Sequence, residues 1–516
     1  TLPMIRCWPL DGDAEAVGYS GGINDGIAGV ESGQAWNARF RGRYITIAGV
    51  HTIHADDAGR TKPPSHNIGM YRVQLLGKRV MAMHWHVHHD GAAHWRSWKE
   101  RGERMPVAIV LGGPAVLPYA ATAPLPPGVS ELLMAGFLQA AGVRMTRAVT
   151  VPLRVPADAE IVIEGYVSHD AGHMGYDPRT DGPLGPGAAF EGPFGDHTGF
   201  YSMPDRYPLL EVTAITHRRD PIYPTIIVGL PPQEDYYLGK ATERMFLPLL
   251  RTLVPDIEDY DLPMFGAFHN CAFIRIRKQY ALQARRVMHA IWGAGQMAWT
   301  KTIFIVDEDV DVHDTASVLS ACARWCDPAR DIETVRGPLD ILDHAAPWLG
   351  AGTKIGFDCT RKWPGEQIRD GEPTASRSIS RADRERWAES AARITGIDAA
   401  WAPEGFGGWL FVIPSGHGRP IAERLAGQSD SAPFVVVVGP GVERGDTEGA
   451  LYHWCACCDP GRDRLHGQAG VVFDATTKKA GQVINSQPVR PWPPIIQMDG
   501  PTRDKVSRRW SEYGLG

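Results

Sequence analysis

Residues 273–325 contain, in order, FIRIRKQY (Phe273–Tyr280), ALQARRVMHAIWGAG (Ala281–Gly295), TIFIVDEDVDV (Thr302–Val312) and TASVLSACARW (Thr315–Trp325). Apolar, β-branched runs of strand length alternate with segments whose apolar residues recur at helical spacing, which is the pattern of an α/β unit. The pattern returns downstream. Val435–Val438 followed by Gly439–Asp446 matches Ile303–Val306 followed by Asp307–Asp314, and CCDPGRD (Cys457–Asp463) matches WCDPARD (Trp325–Asp331), both at a spacing of 132 residues. GVVFDATTKKAGQ (Gly470–Gln482) repeats IGFDCTRKWPGE (Ile355–Glu366) at a spacing of 116, so the second copy has lost part of one loop. These spacings predict a duplicated α/β domain, with a first copy at 241–370, a degenerate copy at 381–495 and a tail at 496–516. Arg, Gly, Pro and Ser accumulate at Gly371–Ser380, where a linker is expected.

Upstream of this region the pattern is extended. RYITIAGVHTI (Arg43–Ile53), YRVQLLG (Tyr71–Gly77) and VMAMHWHVH (Val80–His88) are strand-like and punctuated by Gly, Asn and Asp. PLPPGVSELLMAGFLQAAG (Pro124–Gly142) places Ser130 as a helix start with Glu131 in the first turn. EIVIEGYV (Glu160–Val167) is a further strand, and residues 169–189 are a Gly/Pro-rich loop. Residues 1–240 are therefore expected to form a β-rich domain, making the chain an α+β multidomain protein.

Composition excludes several classes. Net charge is only -6 with 22% charged residues, and no basic run or zinc-finger spacing suggests nucleic acid. No apolar stretch approaches the roughly 18 to 20 residues needed to span a bilayer, and no signal core opens the chain, so a cytoplasmic protein is expected. The eight cysteines are too scattered for a disulfide scaffold or paired metal spacing and are expected to be reduced.

Two places carry candidate chemistry. EGPFGD (Glu191–Asp196) sets two carboxylates five positions apart across a tight turn, where mutual repulsion is expected to push their pKa values apart. Acidic turns are common, so this loop alone does not identify a site. SHNIGMYRVQ (Ser65–Gln74) offers Asn67 and Arg72 on one extended segment, and His84, His86 and His88 would share one strand face, which could be a wet surface or a metal site.

Taken together and in order, NIGMYRVQLLG, HVHHDGAA, PLPPGVSELLMAG, EIVIEG, EGPFGDHTGFY, RRDPIYP, KTIFIVDEDVDV, CDPARD and FDCTRKWPGE resemble the UbiD family of prenylated-FMN-dependent decarboxylases, with scaffold segments most similar to the polyprenyl-hydroxybenzoate branch. The resemblance implies a split β-barrel flavin-binding domain followed by the α/β domain. It also implies that an N-terminal family segment is missing before RCWPLDGD (Arg6–Asp13). Carried over by position, it implies a metal triad of Asn67, His88 and Glu131 that clamps Mn2+ or Mg2+ against the phosphate of prenylated FMN. Hard cations prefer such oxygen ligands, and one imidazole favours manganese over calcium. Glu164 is the rival carboxylate and is expected to be structural. Cofactor contacts are implied at Met70, Tyr71, Arg72, Ala123 and Lys301, and a K+ site at the carbonyls of Ala120 and Ala121. Arg72, Glu191 and Asp196 become the proton-transfer trio, with Asp196 as donor, while His173 or Tyr176 could reach substrate. The implied partners are a small aromatic carboxylic acid, a flavin prenyltransferase that supplies the cofactor, and further copies of the chain. The implied reaction is reversible decarboxylation of an aromatic or α,β-unsaturated acid, with a carboxylase or a silent scaffold as alternatives.

Overall fold

The computed structural model describes residues 2–87, 89–126, 128–171, 186–268, 270–366, 376–439 and 441–515. His88, His173, Tyr176 and the first half of the expected linker, residues 371–375, lie outside the described residues. The chain divides into two compact units, residues 1–233 with 493–516, and residues 234–492. The boundary falls a few residues before the expected 240, and the tail joins the first unit. Both α/β copies lie in the second unit.

The first unit is built on one curled, antiparallel, nine-stranded sheet. Its strands are β1 (Tyr44–Ile45), β2 (Gly49–Thr52), β3 (Asn67–Met70), β4 (Val73–Leu75), β5 (Val80–Met83), β6 (Met105–Leu111), β7 (Ile161–Val167), β8 (Ala188–Glu191) and β9 (Asp205–His217). They run in the order β1-β4-β5-β9-β7-β6-β2-β3, with β8 also paired to β9. β6 is buried along its whole length, as its uninterrupted run MPVAIVL demands. The long β9 is bulged between Val212 and Ala214, which lets one strand bend and serve β5, β7 and β8. Ile45, Val50, Val73, Met83, Trp85, Ile109 and Ile163 belong to one buried hydrophobic core. Glu131–Leu138 forms helix α3, after α1 (Asp90–Glu100) and α2 (Val116–Ala120), with Ser130 as its N-cap.

The second unit holds two sheets of identical order. The first comprises β10 (Ile257–Asp261), β11 (Cys271–Ile276), β12 (Thr302–Asp307), β13 (Ile332–Pro338) and β14 (Ala351–Asp358), arranged β10-β11-β12-β14-β13. The second comprises β15 (Ile397–Trp401), β16 (Trp409–Pro414), β17 (Phe434–Val438), β18 (Arg464–His466) and β19 (Val471–Ala475), arranged β15-β16-β17-β19-β18. In each, three central parallel strands are flanked by antiparallel edges. The repeated corner motif is reproduced bond for bond. Arg330 Nε lies 2.9 Å from Asp331 Oδ1, and Asp331 Oδ2 accepts the Asp327 N–H at 2.8 Å. Arg462 and Asp463 repeat the first contact at 2.9 Å, and Asp463 accepts the Asp459 N–H at 2.9 Å. Lys362 pairs with Asp358, and Lys478 with Asp474, four residues apart in each copy.

The two sheets pack on each other through aromatic side chains. Phe304 and Phe357 of the first stack at 4.5 Å, Trp409 and Phe434 of the second stack at 4.8 Å, and Phe357 meets Trp409, Phe434, Trp454 and Phe473 within 6.1–6.4 Å. All six side chains are buried. Trp409 Nε1 donates to Leu319 O at 3.1 Å, and Thr353 N donates to Asp459 Oδ2 at 2.9 Å, so polar bonds fix the register of this apolar contact.

Candidate active site

Arg72 lies at the break between β3 and β4, and its buried guanidinium reaches both acids of the segment 191–196. Its Nε donates to Glu191 Oε1 at 2.7 Å and its Nη2 to Glu191 Oε2 at 3.1 Å, while Nη1 donates to Asp196 Oδ2. Ser202 Oγ accepts a further bond from Nη2 at 2.9 Å, and the Phe194 ring lies 4.5 Å from the guanidinium carbon. The side chains of all three charged residues are at most 10% exposed.

Burial alone would push both carboxyls up, but the shared arginine outweighs it. Glu191 is held at about 2 by Arg72 and then His84, and Asp196 lies well below the usual carboxylate range through Arg72 and His197. The expectation that the two acids repel into a raised and a lowered pair is therefore corrected. A cation inserted between two carboxylates replaces their repulsion with two attractions, so both are ionised in the resting site.

The turn is clamped by the N-terminal segment. Asp11 is fully buried and accepts the Gly195 N–H at 2.8 Å and the Trp8 N–H at 2.9 Å, while Gly12 N donates to Pro193 O at 2.8 Å. Burial raises the Asp11 carboxyl to about 6. Trp8 lies so close that a Cβ at residue 195 would fall 2.3 Å from its ring, and Gly192 has φ +102°, so glycine is required at both positions. The C-terminal tail returns to the same place, with Tyr201 N donating to Pro494 O and Ile496 N to Gly199 O.

Two of the expected metal ligands come together. Ile68 N, next to Asn67, donates to Glu131 Oε2 at 2.7 Å, and Ser130 Oγ donates to His66 O at 2.7 Å, so the start of α3 is pinned to the start of β3. Burial pushes the Glu131 carboxyl up to about 7, and Asn67 Nδ2 is buried with no hydrogen-bond partner among the described residues. A buried carboxylate beside an unsatisfied amide, which turned over presents an oxygen, suits a divalent cation. Glu164, the rival, is spent on structure: its carboxylate accepts the N–H groups of Val149, Thr150 and Val151 and the Thr150 hydroxyl.

The other expected contacts are distributed around this core. Tyr71 is buried with its hydroxyl accepting from Gly91 N at 3.2 Å, Met70 N donates to Ala121 O, and Ala123 N donates to Ala120 O. Lys301 is buried in the second unit immediately before β12, with Nζ 2.7 Å from Asp343 Oδ2. His84 and His86 lie beyond the end of β5, not on its face. Sequence reasoning missed Asp11 and the link from His84 to Glu191, because both join residues more than 100 positions apart.

A curled antiparallel sheet carrying a buried carboxylate–arginine–carboxylate trio defines a class of acid–base site on a half-barrel scaffold. Residues 1–231 match the 3-octaprenyl-4-hydroxybenzoate carboxy-lyase Rift-related domain, and residues 236–359 the C-terminal domain of the same family. The chain belongs to the UbiD family. An uncharacterized protein of Aquifex aeolicus is 42% identical over 365 residues, covering 71% of this chain and 65% of the relative, and one of Archaeoglobus fulgidus is 42% identical over 368 residues, covering 71% and 66%. The chain thus spans slightly less than two thirds of the length of the curated relatives it matches. Among solved structures, the UbiD-class enzyme HmfF from Pelotomaculum thermopropionicum in complex with FMN is similar at 29% identity and TM-score 0.52, covering 64% of this chain and 69% of that one. Vanillic acid decarboxylase of Sedimentibacter hydroxybenzoicus in closed form shares the fold at 22% identity and TM-score 0.56, covering 68% and 71%.

Proposed function

We propose that this chain is a prenylated-FMN-dependent decarboxylase of an aromatic or α,β-unsaturated carboxylic acid that would also take Mn2+ or Mg2+. The observation that carries the reading is the buried Arg72 shared by Glu191 and Asp196, in a family member similar to an enzyme solved with FMN. Asn67, Glu131 and His88 would hold the metal, with His88 assigned by resemblance alone; K+ at the Ala120 and Ala121 carbonyls stands on the same footing. When bound, the modified flavin supplies the electron sink that lets carbon dioxide leave.

The remaining work falls to the chain. Replacing a carboxylate by hydrogen requires one proton per turnover at the carbon that loses carbon dioxide. Asp196, ionised while paired with Arg72, must first release Oδ2 from Arg72 and take up one proton from solvent there before delivering it, and Arg72 remains charged and bound to Glu191. The burial of the trio excludes water, so the proton goes to substrate rather than bulk. Run in reverse, the same groups would take the proton from an aromatic carbon, which is the carboxylase direction. Assembly with further copies, a cytoplasmic location and cofactor supply by a flavin prenyltransferase belong to the same proposal. Release of carbon dioxide from a panel of aromatic acids, by protein loaded with prenylated FMN, tests it; no release from any acid by loaded protein would contradict it.

A further inference from the structure

Two carboxylates share one arginine, so proton delivery depends on which of them gives it up. The hydrogen bonds are unequal. Glu191 takes two N–H groups of Arg72 and a third contact from His84, whose Nδ1 lies 3.2 Å from Oε2. Among the described residues, Asp196 takes one N–H of Arg72, and its other oxygen is held by its own loop, through the N–H and Nδ1 of His197. His84 is itself fixed: its ring lies 4.3 Å from that of Tyr207, and its Nε2 lies 3.0 Å from His86 Nε2. Arg72, Glu191, Asp196, Tyr207 and His86 are the titratable and charged groups recorded around it.

The chemistry fixes the tautomer. An ionised Glu191 can only accept, so the proton facing it must be on His84 Nδ1. A neutral His84 then has a bare Nε2 and accepts from His86 Nε2–H. Burial and the nearby Arg72 favour the neutral form.

We propose that His84 is a positioning residue: as a neutral Nδ1–H imidazole it anchors Glu191 to Arg72, so that Asp196 is the carboxylate released to carry the proton. This rests on the proton-transfer role assigned to the trio above. His84 acts through Glu191 and touches no reacting atom. Asn at this position keeps an N–H donor close to the place of Nδ1, whereas Leu fills similar space with no donor.

The experiment begins with the resting protein, before any cofactor or substrate, using 15N-labelled histidine and long-range proton–nitrogen NMR, with the His84 signals identified by their loss in His84→Asn. The expected spectrum has Nδ1 protonated and Nε2 bare from pH 8 to pH 6; a protonated Nε2 with bare Nδ1, or a doubly protonated ring, overturns the proposal. In loaded enzyme with a substrate that turns over, His84→Leu should lower kcat by about 10- to 100-fold, the range found when an orienting partner is removed, with KM little changed, and His84→Asn should recover most of it. Equal loss in both variants, or a change confined to KM, contradicts the anchoring role. Because the tautomer is observed without turnover, absence of decarboxylation would count against the proposed function and leave this inference to the spectrum.

Discussion

Glu131 and Glu164 are both buried carboxylates of the first unit, and only their surroundings tell them apart. Glu164 is saturated by three backbone N–H groups and a hydroxyl, whereas Glu131 accepts the Ile68 N–H and burial raises its carboxyl to about 7. Glu131→Ala should therefore lose flavin on purification while keeping its fold, and Glu164→Ala should keep flavin but unfold more easily, because three buried N–H groups lose their acceptor. Flavin content and melting temperature of the two variants check this, and equal cofactor retention would contradict it. For the proton donor, Asp196→Asn keeps shape and hydrogen-bond capacity but not the acid, so turnover should fall about 100-fold or more with flavin still bound. Near-normal turnover would move the role to another group. Much of this site was legible because its residues sit in short motifs: Ser130-Glu131 at a helix start, Asn67 on a strand, Glu191 to Asp196 in one turn. The Asp343 partner of Lys301, 42 positions on, was not legible. Partners that remote leave no local pattern.

At the scale of elements, the repeat spacings of 132 and 116 residues correspond to two sheets of the same order with the same Asp–Arg–Asp corner, because a packing motif constrains spacing and identity together. What the repeat could not convey is the contact between the sheets. The aromatic residues that make it occur in unequal positions: Phe304 has Val436 at the corresponding place, while Trp409 and Trp454 are contributed by the second copy. Phe357 is central, touching four aromatic rings across the contact as well as Phe304. Phe357→Ala should cost about 3–5 kcal/mol, the range for removing a buried aromatic side chain. Hydrogen exchange should quicken in β17 and β19 as well as in β12 and β14. Faster exchange in the first sheet alone would mean that the two sheets are stable independently.

For the whole molecule, buried neutral histidines set one limb of the pH dependence. His94, bonded through Nδ1 to Thr52 Oγ1 at 2.9 Å, is lowered from 6.5 to about 4 by burial, and burial likewise holds His344 in the second unit well below its usual value. A histidine whose folded pKa is depressed stabilises the fold above its unfolded value and loses that contribution as pH falls through the window from 6.5 to about 4. For His94 this amounts to at most about 3 kcal/mol. Asp11, raised to about 6, acts in the opposite direction, so the total slope is a difference of terms. The separable prediction is that His94→Gln flattens the fall in stability between pH 6.5 and 4 relative to the parent, as measured by denaturant unfolding at several pH values; an unchanged slope would contradict it. Cofactor occupancy is the most direct measurement of the proposed chemistry. The chain should be produced with a flavin prenyltransferase and Mn2+, purified, and its bound flavin released and identified by mass spectrometry. The account predicts close to one prenylated FMN per parent chain and little in Glu131→Ala, whereas a folded parent that retains no flavin under these conditions would contradict it.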